Sequence, residues 1–246
     1  MRLDVYLCKY DYSASRQKAQ RMISDGSVYV NGVQIMKPSY DVDGEKDIVE
    51  IKGEMMPYVS RGGLKLEAAL DNFNIDVSGF TAVDIGASTG GFTDCLLKHG
   101  AIKVYAIDCG VNQLDKSLVN DSRVISIEKQ NARYINREIV PELCDIVVMD
   151  VSFISQTLIY QSAVSVLKNG GYMITLIKPQ FEAGIGNVGK HGIVKDKTIH
   201  EKIISNIIAE ADKYNFHYHG HIESPIKGGD GNTEYPALFS YKTGEN

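Results

Sequence analysis

Apolar and polar positions change rhythm along this chain. From residue 81 onward, short runs rich in Val, Ile and Tyr predict strands at 81–85, 103–108, 123–127, 145–150, 172–178, 216–222 and 237–242. Between them, apolar positions three and four apart predict helices near 64–73, 91–99, 112–119, 155–168 and 196–213. Strands alternating with amphipathic helices build βαβ units, so the expected fold is α/β: a Rossmann-like, doubly wound, mostly parallel sheet of seven strands. No helix separates the last two strands, which predicts an antiparallel edge. The stretch 52–63, KGEMMPYVSRGG, interrupts this rhythm with glycines and a proline. It divides the chain into a small unit at 1–53, a linker at 54–63 and a larger unit at 64–246.

The small unit predicts two short helices and a β segment. Leu3, Tyr6, Leu7 and Tyr10 keep helical spacing, and Ser13 or Ser15 offers a cap for a second helix that Gly26 closes. SVYVNGVQI then reads as a β run broken by Asn31-Gly32, a strong hairpin signal.

Composition narrows the class. The 246 residues are 43% hydrophobic, enough for a buried core and too much for a disordered chain. Lys and Arg number 26 against 31 Asp and Glu, a net charge of −5, which excludes a polycation that grips nucleic acid by bulk charge. No apolar run approaches the roughly 18 residues of a membrane span. The opening MRLDVYLCKYD carries four charges, so no signal-peptide core is expected there. Cys8, Cys95, Cys109 and Cys144 form no close pair, the usage of a reducing compartment, with neither a disulfide framework nor a cysteine-based zinc site. The expectation is a soluble, cytoplasmic protein.

Charge within the small unit is uneven. Arg2, Lys9, Arg16, Lys18 and Arg21 face only Asp4 and Asp11 in the helical part, whereas the later acids Asp41, Asp43, Glu45 and Asp47 lie near the β segment. The leading Arg2-Leu3-Asp4, the Ser15-Arg16 pair and GSVYVNG at 26–32 together resemble the S4 RNA-binding domain, a small α+β fold. That resemblance implies that Arg2, Arg16, Lys18 and Arg21 contact RNA phosphates.

In the larger unit the first strand runs into Asp84-Ile85-Gly86-Ala87-Ser88-Thr89-Gly90-Gly91-Phe92, a glycine turn leading into a helix. Glycine allows the tight turn and close approach of backbone to a nucleotide. The second strand ends in Asp108, where an acid can hold ribose hydroxyls. The spacing departs from Gly-x-Gly-x-x-Gly, and no Gly-Lys-Ser/Thr follows, which excludes a P-loop. Asp-x-Gly-x-x-x-Gly with a downstream acid resembles the methyl-donor loop of S-adenosylmethionine-dependent methyltransferases; a nicotinamide cofactor or a structural turn stays open on the loop alone. The cofactor candidates are Asp84, Gly86, Ala87, Ser88, Thr89, Gly90, Phe92 and Asp108, with Asn131 and Ala132 of Gln130–Arg133 near the adenine.

Charged residues stand at further strand ends: Asp150 in MDVSFIS, Lys178 in LIKPQFEAG, Glu234 in SPIKGGDGNTEY, and Lys65 in SRGGLKL before the sheet. Each alone is more often a solvated end or an ion-pair partner. Together they resemble the Lys-Asp-Lys-Glu tetrad of FtsJ-like RNA 2′-O-methyltransferases, and with the S4-like unit in front the whole chain resembles the TlyA family, whose members are often labelled hemolysin. The resemblance implies 2′-O-methylation of a cytidine in ribosomal RNA of assembled subunits, through a base turned out of its stack, with S-adenosylmethionine as cofactor and Lys178 as base. A ribose hydroxyl is a very weak acid, so its attack needs a base and close placement. A lysine serves as base only when burial or neighbouring positive charge depresses its pKa; Lys65 is the candidate neighbour, with Asp150 and Glu234 orienting the two ammonium groups.

Two other readings compete. A non-catalytic ribosome-binding factor would keep the fold and pocket but has no physical need for both lysines. A membrane-active hemolysin would need a spanning or strongly amphipathic segment, and none is visible. His217, His219 and His221 alternate on one strand and are expected to share a solvated face rather than bind metal, since no carboxylate or cysteine stands at ligand spacing. The glycine-rich loop 182–194, directly after Lys178, is expected to be mobile.

Overall fold

The computed structural model describes residues 1–246 except 14, 25, 53–55, 185–187, 190–191, 229–230 and 245–246. The chain divides into two units, Met1–Met55 and Met56–Asn246.

In the first unit, α1 (Leu3–Lys9) and α2 (Arg16–Ser24) pack Leu3, Leu7, Ala19 and Ile23 over a small sheet of β1 (Val28–Val30), β2 (Val33–Gln34) and β3 (Val49–Ile51). Ser15 is the cap of α2: its Oγ accepts from the Lys18 amide at 3.2 Å. Asn31 (φ 51°) and Gly32 (φ 78°) both take the left-handed conformation, as the two-residue hairpin turn between β1 and β2 requires. Asn31 also recruits β3, giving its amide hydrogen to Asp47 Oδ1 and accepting from the Ile48 amide.

The second unit is an α/β sandwich. Its elements are α3 (Gly62–Phe73), β4 (Thr81–Ile85), α4 (Gly91–Lys98), β5 (Lys103–Ile107), α5 (Lys116–Val119), β6 (Val124–Ile127), β7 (Cys144–Met149), α6 (Tyr160–Val166), β8 (Leu167–Ile177), α7 (Pro179–Glu182), α8 (Lys197–Asp212), β9 (Phe216–His221) and β10 (Tyr235–Tyr241). The seven strands run in the order β6-β5-β4-β7-β8-β10-β9. The pairs among β4 to β8 are parallel, and β10 lies antiparallel between β8 and β9. The strands near the centre are covered on both faces: Val83, Ile85, Val147 and Met149 point into one core and Ala82, Ile146 and Val148 into the other. That is why they read as unbroken apolar runs. The order reverses at β4, so the carboxyl ends of β4, β5, β7 and β8 surround one crevice, where open α/β sheets bind ligands. Because β10 runs the other way, its first residue, Tyr235, pairs with Ile177 at the same rim.

Three sequence expectations change. The helix expected at 112–119 shrinks to 116–119, because Asn112 turns left-handed and Asp115 caps the Ser117 amide. The segment expected as linker divides: Tyr58 is buried, donates to Glu67 Oε1 at 2.6 Å, and packs so closely on Gly63 that a Cβ there would lie 2.3 Å from its ring. The three histidines of β9 do not share a face. A register shift between Leu238 and Phe239 sends His219 to Ser240 Oγ (2.8 Å) and His221 to the Tyr218 hydroxyl (2.5 Å), beside the Tyr235 ring. The loop 182–194 falls partly on residues outside the described ones. Among the described residues, no helix is long and apolar enough to cross a membrane.

Candidate active site

The glycine turn after β4 is built by close approach. A Cβ on Gly86 would lie 2.5 Å from the Asp150 carbonyl oxygen, and Gly86 sits at φ 85°. Ser88 follows at φ 47° and donates its amide to Asp108 Oδ2 at 2.8 Å; Gly110 donates to Oδ1 at 2.7 Å. Asp108 is therefore clamped at the end of β5, each oxygen keeping acceptor capacity for a ligand hydroxyl.

Asp84 lies beneath this turn and is fully buried. Its Oδ2 accepts from the Thr93 hydroxyl at 2.6 Å, and its Oδ1 has no hydrogen-bond partner among the described residues. Burial pushes its pKa up to about 7, opposed by the Thr93 hydrogen bond and reinforced by the charges of Asp150 and Asp108. A cavity of about 290 Å³ opens over it, bounded by Lys65, Gly86, Ala87, Ser88, Thr89, Phe92, Asp150 and Lys178 among others. A smaller recess of about 10 Å³ continues past Ala87 and Ser88 to Asp108.

The four tetrad positions meet at the rim as two ion pairs. Lys178, at the end of β8, places Nζ 2.6 Å from Asp150 Oδ1 and donates to Ser152 Oγ at 2.9 Å. Lys65, on α3, reaches Glu234 Oε2 at 2.5 Å, and Gln180 Nε2 donates to Glu234 Oε1 at 3.2 Å. Both ammonium groups are buried, and each has a carboxylate that balances its charge. At the mouth, Phe153 is 92% exposed in a left-handed backbone (φ 63°), its ring 5.0 Å from that of Phe181, over which Lys178 Nζ sits at 5.8 Å. A bulky side chain held at positive φ and left largely in water is a strained arrangement, with the Phe181 ring as its aromatic neighbour.

Two sequence motifs brace each other. Glu182 accepts from Ser155 Oγ (2.7 Å) and the Gln156 amide (2.9 Å), so the turn after β7 is tied to α7; burial raises the Glu182 pKa against these bonds. Asn232 accepts from the Val194 amide (3.1 Å) and donates to the Gly192 carbonyl (2.9 Å), and His200 bridges the Val194 carbonyl and the Tyr235 hydroxyl. Glu234 is thereby held between two anchored neighbours.

Some sequence candidates lie elsewhere. Gly90 packs against Leu114 and Leu118 behind the turn. Asn131 and Ala132 do not line either cavity: Asn131 caps a short 3₁₀ turn by accepting from the Arg133 amide. Ser152, Ile226 and Lys227, missed in the sequence, do line the main cavity. Only the fold brings them there, although all three lie within motifs that the sequence singled out.

In the first unit, fully buried Asp4 gathers the candidate arginines. Arg2 donates from Nε and Nη2 (both 3.0 Å), Arg16 from Nε (2.9 Å) and Gln20 from Nε2 (2.8 Å). The Arg2 hydrogen bond, with those of Gln20 and Arg16, holds the Asp4 carboxyl well below the usual range despite its burial. Both arginine side chains remain about half exposed, at 46% and 57%. Lys18 is exposed, and Arg21 lies on α2 with its side chain outside the described residues.

Comparison with known proteins agrees with this layout. A family model described as FtsJ-like methyltransferase matches residues 58–241, and an S4 domain model matches residues 1–49. Hemolysin A of Brachyspira hyodysenteriae is 48% identical over 97% of this chain and 99% of its own length. The Mycobacterium tuberculosis protein TlyA, named a 16S/23S rRNA (cytidine-2′-O)-methyltransferase, is 38% identical over 95% of this chain and 87% of its own. A solved structure from Streptococcus thermophilus, titled as a hemolysin, superposes with a TM-score of 0.78 at 43% identity, covering 98% of this chain and 88% of that one. With an S4 domain joined to this catalytic unit, the chain belongs to the FtsJ-like methyltransferases of the TlyA family.

Proposed function

We propose that this enzyme transfers a methyl group from S-adenosylmethionine to the 2′-hydroxyl of a cytidine in ribosomal RNA, acting on assembled subunits. One observation carries the reading: Lys178 is held at the cavity wall by Asp150 and Ser152, in the cavity that also holds the glycine turn and Asp84.

The residues present fit the cofactor. The unpartnered Asp84 Oδ1 is a buried acceptor suited to an α-ammonium group, the Gly86 turn lets backbone approach the ligand, and Asp108 can accept from ribose hydroxyls. When bound, S-adenosylmethionine supplies an electrophilic methyl on a sulfonium. In its neutral form Lys178 takes the proton of the attacking hydroxyl at Nζ, with Asp150 and Ser152 fixing where that nitrogen points. Lys65, anchored on Glu234, orients the hydroxyl oxygen. Phe153 offers a ring on which a base turned out of its stack can rest. In the S4 unit, Arg2, Arg16 and Lys18 supply local positive charge for RNA phosphates on a chain of net charge −5.

The test is transfer of labelled methyl from S-adenosylmethionine to small and large ribosomal subunits that lack the modification. Label in the RNA is expected with the wild-type chain and a loss of about 10³-fold with Lys178→Ala, at unchanged cofactor affinity. Full activity in Lys178→Ala removes the base. No label on either subunit, with the cofactor bound, overturns the reaction in favour of a non-catalytic ribosome-binding role.

A further inference from the structure

The segment between β9 and β10 folds back on itself as a hydrogen-bonded hairpin. Ile222 donates its amide to the Pro236 carbonyl (3.0 Å), Ser224 to Glu234 (2.9 Å) and Gly228 to Asn232 (2.9 Å). The Ser224 hydroxyl donates to the Ile226 carbonyl at 2.7 Å, fixing the arm opposite Glu234. Gly228 presses on the tetrad itself: a Cβ there would lie 2.4 Å from Glu234 Oε1.

Lys227 precedes that glycine and lines the cavity that holds Lys65, Asp150 and Lys178. Its Nζ donates to Glu223 Oε1 and to the Thr233 hydroxyl, both at 2.8 Å, and its side chain is 53% exposed. The tetrad is charge-balanced without it. The other cation of the wall outside the tetrad, Arg61, stands between Ser60 and Gly62. Those two residues abut Gly91 at the end of the glycine turn, which sets the Arg61 backbone beside that turn. Lys227 belongs to the Glu234 half, where the acceptor hydroxyl must lie.

The chemistry of the acceptor then constrains what Lys227 meets. In RNA the anion nearest a 2′-hydroxyl is the phosphodiester on the adjacent 3′ carbon of the same ribose. A ribose that brings its 2′-oxygen to Lys178 therefore carries a negative charge into the same cavity, and an ammonium binds phosphate as a point charge. The partner that Lys227 keeps without RNA is a half-exposed i,i+4 carboxylate, a pair that contributes little and is readily exchanged for phosphate. Glu223 is also close enough to Lys197 and His200 for both to hold its pKa down, after the larger effect of Lys227 itself, so it does not lose all compensation when Lys227 turns away.

We propose that Lys227 holds the 3′-phosphodiester of the ribose being methylated, exchanging Glu223 for it as RNA binds. The proposal rests on the ribose-methylation reading above. Lys227 is a substrate-positioning residue, and no other role is assigned to it.

The experiment measures methyl transfer to unmodified ribosomal subunits across a salt series, for wild type, Lys227→Ala, Lys227→Arg and Glu223→Gln, with S-adenosylmethionine affinity measured alongside. Lys227→Ala is expected to raise KM for the subunits about tenfold at low salt. It should also flatten the dependence of log(1/KM) on log salt by about one, the signature of one lost phosphate contact. Lys227→Arg should restore most of both, and Glu223→Gln should lower KM by about threefold, because it removes the competing carboxylate. An unchanged KM and salt slope in Lys227→Ala overturns the proposal. So does a parallel fall of kcat and melting temperature in Lys227→Ala and Glu223→Gln, which would make the pair a structural brace. A wild-type chain that binds cofactor but methylates neither subunit removes the underlying reaction, and is recognised because no KM then exists to compare.

Discussion

Asp4 in the first unit and Asp84 in the second are both sealed from solvent, yet their surroundings push their protons in opposite directions. Asp4 accepts from two guanidinium groups and an amide, and its carboxyl is held far below the ordinary range. Asp84 accepts from the Thr93 hydroxyl, has no partner for its other oxygen among the described residues, and rises to about 7. Both the donors and the depth of burial differ: the Arg2 hydrogen bond dominates at Asp4, whereas desolvation dominates at the more deeply set Asp84. A satisfied buried carboxylate is scaffold: it aligns Arg2 and Arg16 so that their permanently charged planes face outward. An unsatisfied one is a receptor, costly until a ligand completes it. The tetrad sits between these extremes, two lysines and two carboxylates paired one to one at the cavity wall.

The largest break in this comparison is expected from Asp4→Asn. It removes the charge on which both guanidinium groups converge, and charge-assisted hydrogen bonds are the strong ones. The S4 unit should melt roughly 10 °C lower, followed by circular dichroism or calorimetry, and bind ribosomal subunits at least tenfold more weakly. The sign with pH follows from a depressed folded pKa: the stabilisation is complete above the unfolded value of about 4 and fades as pH falls below it. An Asp4→Asn protein with wild-type melting and RNA affinity would make the arginine cluster incidental.

How much of this was legible in the sequence differs between the two regions for the same physical reason. The strands of the second unit are covered on both faces, so Asp150 and Lys178 stand out as charges ending apolar runs. Glu234 and Lys65 followed from motifs around them. Ser152 and Lys227 were not legible as site residues, since a serine in a turn and a lysine in a glycine-rich hairpin carry no signal until the fold seats the first on Lys178 and the second in the cavity wall. The β9 bulge was hidden too, because a register shift leaves the alternation of letters intact while moving the side chains. Asp4 was visible as one acid among cations. Its place as their hub needed α1 and α2 packed together, since Arg16 and Gln20 come from 12 and 16 residues away.

The Asp84 side of the comparison sharpens through cofactor binding. A ligand ammonium favours the ionised carboxylate, so binding S-adenosylmethionine should draw the Asp84 pKa below 7 and release a proton. Affinity should then rise as pH goes from about 5.5 to 7, approaching tenfold per unit at the acid end, and level off near 7. Titration calorimetry in buffers of different ionisation enthalpy counts that proton directly. Asp84→Asn keeps the shape and the bond from Thr93 but should weaken binding roughly tenfold at pH 7.5, with the pH dependence gone. Equal affinity at pH 5.5 and 7 in the wild type would place the ammonium elsewhere.

The smallest effect is the most diagnostic, because it runs against the usual direction of a core mutation. Without cofactor, the folded chain holds a proton on Asp84 between about pH 4 and 7 that the unfolded chain has released. The Asp84 contribution to stability is therefore fully present below about pH 4, is lost as pH rises toward 7, and changes no further above that. Asparagine at this position carries no charge to desolvate at any pH. The Asp84→Asn protein should gain on the wild type as pH rises, its melting temperature moving up by a few degrees relative to wild type between pH 5 and pH 8 in the absence of cofactor. Saturating S-adenosylmethionine should narrow that gain at pH 8 by about 1.4 kcal/mol, the equivalent of the roughly tenfold weaker binding by the variant. A stabilised variant that the cofactor stabilises less than it does the wild type is what a receptor carboxylate predicts. A scaffold carboxylate such as Asp4 predicts a loss of stability with or without ligand.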